Sequence, residues 1–322
     1  MKKASKKTLD VSITRVQGYH EGGYHSNINY AYLGFKSNKY FTSDRFIKLD
    51  ENFKRPDGKP LKGYGLEIES ECKGIKNQTV YAEVLNKIIL DEFPADLFKL
   101  QNDGSLGGDT SAEIITQVMT KEFIRNQYPA FKAMYDTYFP AFKVSCSESG
   151  HCGMHVNMSN ALFGAKEEAQ ELAIKKLLYL VNKHFKLFCA LTNRDANNTG
   201  YCARISQYAN MEACKNVNMR NLGGSHYVCF NASHYSKGRI ELRIVGGQKN
   251  YACFRNTMES IFHVVEAVKK LSWNDLDDLS KVFAGCNQYV FDRLATKCFE
   301  RSTISMEDLQ KIKNTVVREE LL

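Results

Sequence analysis

Three short stretches of the chain place polar side chains at every second position, with apolar side chains between them. They read "GLEIES" at 65–70, "GMHVNMS" at 153–159 and "RIELRI" at 239–244. Because successive side chains of a β-strand point to opposite faces, each polar set would lie on one face of a strand. A half-solvated antiparallel sheet gives the same alternation, so no single stretch indicates a site by itself.

The types of these polar residues favour chemistry when the three stretches are combined. The residues are Glu67, Glu69, His155, Asn157, Ser159, Glu241 and Arg243. Neighbouring strands lie roughly 4.8 Å apart, so pairing would crowd three carboxylates and raise their pKa values unless a cation lies among them. Mg²⁺ binds carboxylate oxygens and bridges to phosphates, and arginine can donate two hydrogen bonds to a phosphate. The combination predicts a face that binds metal and nucleotide.

A zinc site is the local alternative in the stretch "GHCGMHVNMS" at 150–159. Its ligands would be Cys146, His151, Cys152 and His155. The two histidines are four residues apart, a spacing that brings them together only on a helix, whereas the glycine and the alternation favour a strand. We therefore prefer the strand and keep zinc as the weaker alternative.

Two more acidic residues are candidates with weaker signals. Asp103 lies in "NDGSL" at 102–106, where Asp-Gly favours a tight turn, and a turn and a place near the site are equally good explanations. Glu113 is the only charged residue in "SAEIIT" at 111–116. It would be either a surface residue or a further metal ligand.

The elements that must position these residues are paired strands and separate helices. Besides the three polar stretches, "SAEIITQVM" is a predicted strand, and "SHYVCFNAS" with "GRIELRIVG" predicts a hairpin. Helices are predicted at 82–93, 121–139 with an interruption at Pro129, 165–191, 251–271 and 274–318. This pattern predicts an α+β fold.

Composition excludes some classes of protein and limits the partners. No run of 18 apolar residues occurs among the 322, so we expect no membrane span. The net charge of +8 allows an anionic partner, but the basic residues are scattered beyond the first seven positions, which gives nucleic acid weak support. Ten cysteines without a CxxC pair predict free, buried thiols in a reducing, cytoplasmic compartment.

Five blocks of the chain, in order, resemble those of the amidoligase family, which are carboxylate–amine ligases with a glutamine-synthetase-like fold. The blocks are "GLEIE", "DGSLGGDTSAEIIT", "HCGMHVNMS", "NRDANNTGYC" and "HYVCFNASHYSKGRIELRIVGG". Each block alone is unspecific, and the order and spacing of all five over about 62–270 carry the resemblance. It implies a curved antiparallel sheet with helices packed on its outer face and ATP on the inner one. The chain would divide into an irregular or β extension at 1–60, a catalytic domain at 61–272 and a helical segment at 273–322.

The resemblance also implies a role for each candidate residue. The ligands of two or three Mg²⁺ ions, with Mn²⁺ as a substitute, would be Glu67, Glu69, Glu113, His155 and Glu241. Arg194 and Arg243 would contact the transferred phosphate, and Asp103 would be a further catalytic residue. Asn157, Ser159 and Asn231 would lie near the nucleotide. The family usually has a second histidine in place of Asn157, and an amide cannot act as a cation or as an imidazole ligand.

The implied activity is ATP-dependent condensation of a carboxylate with an amine through an acyl phosphate, which forms a peptide-like or isopeptide bond. The acceptor stays open between a small molecule, a peptide and a protein, and the oligomeric state stays open too. Two alternatives remain. One is a non-catalytic relative that binds or builds a larger assembly on the same scaffold. The other is a phosphotransferase that acts on a guanidino group.

Overall fold

A computed structural model describes the chain from residue 62 to residue 318, with gaps. The described ranges are 62–76, 78–93, 97–101, 110–146, 152–197, 199–222 and 227–318. The predicted extension at 1–60, Asp103 and His151 lie outside the described residues.

An open antiparallel sheet forms the centre of the described part, which contains seven strands. They are β1 (Tyr64–Cys72), β2 (Phe98–Gln101), β3 (Ser111–Thr116), β4 (Val144–Ser145), β5 (Met154–Ser159), β6 (Phe230–Asn231) and β7 (Arg239–Leu242). Their order is β2-β3-β1-β5-β7-β6, and β4 pairs with the end of β1. The central neighbours β1, β5 and β7 carry the three polar sets that the sequence singled out.

The register of the strands brings the polar residues opposite one another. Its pairs are Glu67 with His155, Glu69 with Glu113, and Asn157 with Glu241. Because side chains alternate between faces, residues opposite one another in register share a face of the sheet. Four strands therefore contribute to one polar face.

Helices make up most of the rest of the described chain. The α-helices are α1 (Gln78–Glu92), α2 (Lys121–Asn126), α3 (Tyr128–Ala133), α4 (Phe139–Phe142), α5 (Glu167–Lys183), α6 (Phe185–Leu191), α7 (Met211–Asn216), α8 (Tyr251–Lys270), α9 (Leu279–Val282), α10 (Gln288–Arg293) and α11 (Met306–Lys313). π-Helical turns occupy Met134–Tyr138 and Leu294–Cys298. Short 3₁₀ turns occupy Asn160–Leu162, Ser206–Ala209, Tyr235–Lys237 and Asn274–Asp277. The prediction of an α+β fold with an antiparallel sheet is confirmed.

The apolar face of the sheet packs against helices and forms the core. Leu66, Val156 and Leu242 are at most 2% exposed. Leu242 lies against apolar side chains of α5, α6 and α8, and the ring of Tyr64 packs on that of Phe262 at 4.8 Å between centroids. Burial of the apolar members of each alternation therefore fixes which way the polar members point.

Three predicted helices are interrupted in the structure, and the one predicted at 274–318 is divided into α9, α10, α11 and short turns. The helix predicted at 165–191 ends at Lys183 and begins again at Phe185, and the imidazole Nε2 of His184 between them contacts the carbonyl of Leu276 at 3.3 Å. The helix predicted at 121–139 breaks at Gln127 rather than at Pro129. Pro129 lies in the first turn of α3, where its missing N–H leaves no hydrogen bond unmade.

The cysteine prediction is confirmed in part. All ten cysteines are buried and free. Burial raises the pKa of the Cys146 thiol, with the charge of Glu69 as a second cause, so its thiolate is disfavoured.

In the part of the chain described here, no helix combines the length and the apolar character that crossing a membrane requires.

Candidate metal centre

His155 lies at the centre of the polar face and is surrounded by carboxylates from two strands. Its Nδ1 lies 3.1 Å from Glu67 Oε2 and 3.4 Å from Glu241 Oε1, and its Nε2 lies 3.5 Å from Glu69 Oε1. The whole residue is 7% exposed. Four of the five residues predicted as metal ligands therefore lie in one cluster.

The fifth predicted ligand, Glu113 on β3, completes a group that could hold a cation. Ligand atoms of Glu67, Glu113 and His155 all lie within 4.8 Å of one another. Glu113 stands opposite Glu69 in the register of β1 and β3. Since its strand also places Ala112 and Ile114 in the core, the alternation directs Glu113 to the polar face.

Glu67 and His155 favour each other's charged forms. Burial alone would raise the pKa of Glu67, but hydrogen bonds from His155 and Asn157 and the charge of His155 lower it. Burial alone would lower the pKa of His155, but its hydrogen bond to Glu67 and the charge of Glu69 raise it. These contacts favour a proton on His155, and a metal ion bound by the imidazole would compete with that proton.

Asn157 lies on β5 between Glu67 and Arg239. Its Nδ2 donates to Glu67 Oε1 at 2.7 Å, and its Oδ1 accepts from Arg239 Nη1. Arg239 Nη1 also lies 4.0 Å from Glu67 Oε1. The amide therefore connects a carboxylate with a guanidinium and is 6% exposed.

Arg239 is a site residue that our sequence analysis missed. It lies two residues before Glu241 and opposite Ser159, so it shares their face. Extending the alternation of "RIELRI" to its first residue would have found it.

Glu241 is held by two side chains as well as by His155. Arg243 Nη1 donates to Glu241 Oε1 at 2.6 Å, and Asn231 Nδ2 donates to Glu241 Oε2 at 3.1 Å. Within the described residues, the buried Nε of Arg243 has no hydrogen-bond acceptor. That N–H is a donor at which an anionic ligand could bind.

Arg194 enters the cluster from the end of α6. Asn193 before it has a φ of 64°, which turns the chain, and Arg194 Nη2 donates to the carbonyl of Val245 at 2.8 Å. A Cβ on Gly153 would lie 3.0 Å from Arg194 Nη2 and 3.2 Å from Glu69 Oε2. Glycine at 153 therefore lets both polar groups lie against the strand.

Two predicted residues have structural contacts of their own. Ser159 is 4% exposed, and its Oγ accepts from the backbone N–H of Gly63 at 3.2 Å. Cys152, from the zinc alternative, lies with its Sγ 3.6 Å from the carbonyl of Ser145. The disfavoured thiolate of Cys146 gives that alternative no support.

No family model matches the chain, and no curated protein matches its sequence. The residues of this cluster and their geometry are therefore the basis on which a function is inferred.

Proposed function

We propose that the protein is an ATP-dependent ligase that joins a carboxylate to an amine through an acyl phosphate. The observation that carries the proposal is the convergence of three carboxylates on His155 with Arg239 and Arg243 beside them. Phosphoryl transfer needs carboxylate-held metal ions and cationic contacts to the phosphate in one place. The resemblance to amidoligases adds the ligase chemistry and the glutamine-synthetase-like curvature of the sheet to this proposal, and the free, buried cysteines support a cytoplasmic setting.

The donor set fits Mg²⁺ or Mn²⁺. Glu67, Glu69, Glu113 and Glu241 offer oxygen ligands, and His155 offers a nitrogen, which Mn²⁺ accepts more readily than Mg²⁺ does. Bound Mg²⁺ would neutralise negative charge on the triphosphate of ATP. Because His155 is hydrogen-bonded to Glu67, a cation must displace that contact as it binds.

The arginines supply the positive charge that phosphoryl transfer requires. In the proposed reaction the free Nε–H of Arg243 donates to the transferred phosphate, and Arg194 stabilises charge beside it. Arg239 and Asn157 keep Glu67 oriented toward His155. Asn231 does the same for Glu241.

The proposed reaction has two steps. A carboxylate oxygen of the substrate attacks the γ-phosphorus, the bond to the β,γ-bridging oxygen breaks, and ADP leaves. The amine nitrogen then attacks the acyl carbon, the bond to the phosphate oxygen breaks, and inorganic phosphate leaves. The amine loses one proton, which a carboxylate of the cluster accepts. Without ATP the carboxylate has no adequate leaving group.

Trapping the acyl phosphate tests the proposal directly. Purified protein is incubated with Mg²⁺-ATP, a pool of carboxylic acids and hydroxylamine, and both ADP and hydroxamates are measured. We expect both products, and we expect Glu67→Gln to lower their rates on the order of 10²–10³-fold. Glu168→Gln, an exposed glutamate at the start of α5, should leave the rates unchanged. The proposal is wrong if no carboxylate yields ADP, or if Glu67→Gln matches the unmodified protein.

The non-catalytic alternative has one observation in its favour, because the carboxylates of the cluster already lie beside cationic side chains without a metal ion. Four carboxylates face three guanidinium groups and one imidazole, contributed by Glu67, Glu69, Glu113, Glu241, Arg194, Arg239, Arg243 and His155. A titration with Mn²⁺, followed by electron paramagnetic resonance, distinguishes the proposed enzyme from the non-catalytic scaffold. Binding that Glu113→Gln weakens favours the enzyme, and no Mn²⁺ binding favours the scaffold. A phosphorylated guanidino compound without hydroxamate would indicate the phosphotransferase.

A further inference from the structure

A cavity lies among helices, on the other side of the sheet from His155. It has a volume of about 490 Å³ and is bounded by α2, the C-terminal half of α8, and the chain from Lys281 to Asn287. That volume lies within the range of sites that hold small molecules, about 300–1,000 Å³. Phe262 in its wall packs on Tyr64, three residues before Glu67 on β1. The cavity is therefore separate from the candidate metal centre.

Most of the charges that line the cavity are already paired. Arg125 binds Glu259 with two hydrogen bonds, Nε to Oε1 at 2.9 Å and Nη2 to Oε2 at 2.6 Å. Glu259 is 1% exposed and also accepts from Tyr128 and from Asn287. This buried pair forms a neutral, rigid part of the wall.

Two other charges in the wall are balanced by residues beside the cavity. Glu266 pairs with Lys269 at 2.6 Å, and Lys281 pairs with Asp275 at 2.5 Å. Once these pairs and the Arg125 pair are set aside, the remaining lining charges are those of Lys121 and Lys270.

Lys121 and Lys270 both line the cavity. Lys121 Nζ lies 5.8 Å from the centroid of the Phe262 ring, and no carboxylate of the described residues pairs with either lysine. His263 lines the same cavity, and burial lowers its pKa, with the charges of both lysines as further causes. Among the described residues, the cavity thus has two lysine charges that no carboxylate pairs with, and an aromatic ring beside Lys121.

We propose that this cavity binds a small organic phosphate, with the phosphate against Lys121 and Lys270 and the organic part against Phe262. Two ammonium groups match the charge of a phosphate dianion, whereas a carboxylate would neutralise only one of them. The apolar side chains of Phe262, Leu271 and Val282 give the organic part a surface on which to pack. The site is independent of the proposed ligase reaction.

Calorimetric titration with phenyl phosphate tests the proposal, in EDTA so that no metal ion takes part. Benzoate and inorganic phosphate are the comparison ligands, and both should bind more weakly. The double variant Lys121→Gln with Lys270→Gln should bind phenyl phosphate about tenfold more weakly or worse, because each lost charge removes a charge-assisted hydrogen bond. The control replaces two exposed lysines that do not line the cavity, Lys132→Gln with Lys313→Gln, and should bind as the unmodified protein does.

Chemical protection locates the bound ligand without relying on any variant. Phenyl phosphate should slow the acetylation of Lys121 and Lys270, measured by mass spectrometry, and leave Lys132 and Lys313 unchanged. The proposal is overturned if phenyl phosphate fails to bind, if the double variant binds it as well as the control does, or if all four lysines are protected alike.

Discussion

Asn157 joins two side chains of opposite charge through the two ends of its amide. It donates to Glu67 and accepts from Arg239, and it is almost fully buried. Asn157→Ala would leave a partly buried carboxylate and a partly buried guanidinium each without one partner. We expect the free energy of unfolding to fall by about 1–3 kcal/mol, measured by urea denaturation at pH 7.

Asn126→Ala is the control for that prediction, because Asn126 is exposed and lies outside the cluster. Its effect should stay within about 0.5 kcal/mol. Equal stabilities of the two variants would show that the amide of Asn157 contributes no more than a surface group does.

The sequence could predict the face of each strand but not the partner of each residue. Glu67 and Glu69 share a face because Leu66 and Ile68 must be buried, and the same holds for His155 and its neighbours. The contact of Glu67 with His155, 88 residues away, depends on which strands pair and in what register. That choice is made by the whole core, so alternation within one strand does not contain it.

At the scale of elements, the predicted helices were right in type, but three of the five are interrupted in the structure. The apolar periodicity of 165–191 continues through His184, and the contact of His184 with Leu276, from a distant part of the chain, accompanies the break. Arg239 shows the opposite case, because its signal was local and was overlooked. Long-range contacts, rather than propensity, account for what sequence alone left out.

His263 on α8 connects that helix to α9 and makes the connection sensitive to acid. Its Nε2 lies 2.9 Å from the carbonyl of Val282, to which it donates, and its ring stacks on Phe283. Burial, with the charges of Lys121 and Lys270, lowers the pKa of His263 in the folded protein. The unfolded chain keeps the ordinary value of about 6.5, so it binds the proton that the folded state excludes.

Titration of His263 should therefore leave the free energy of unfolding constant above pH 7. The free energy of unfolding should fall as the pH drops through about 6.5. His263→Gln keeps a donor for Val282 and removes the titration. We expect a smaller loss of unfolding free energy between pH 7.5 and 5.5 in this variant than in the unmodified protein, measured by urea denaturation at each pH. Equal losses would mean that His263 takes up its proton as readily in the folded state.

At the scale of the whole molecule, the predicted helical segment at 273–322 shares the core of the predicted catalytic domain. Phe283, Val290 and Leu294 are fully buried in the same cluster as the sheet. Arg293 Nε donates to the carbonyl of Leu191 at 3.2 Å, and Arg301 Nη1 donates to the carbonyl of Arg194 at 2.8 Å. The segment therefore also holds the turn that directs Arg194 into the candidate metal centre.

A chain that ends at residue 272 should consequently fail to fold rather than form a smaller stable domain. Each fully buried apolar side chain of the segment contributes about 1.5–3 kcal/mol, and three or more such losses approach the stability of a typical domain, about 5–15 kcal/mol.

Calorimetry of the full chain should show one transition with equal calorimetric and van't Hoff enthalpies. Arg301→Ala, which removes one hydrogen bond from the same segment, should keep that single transition and cost about 1 kcal/mol. Two separate transitions, or a shortened chain with an unchanged melting temperature, would instead establish residues 61–272 as a domain that folds alone.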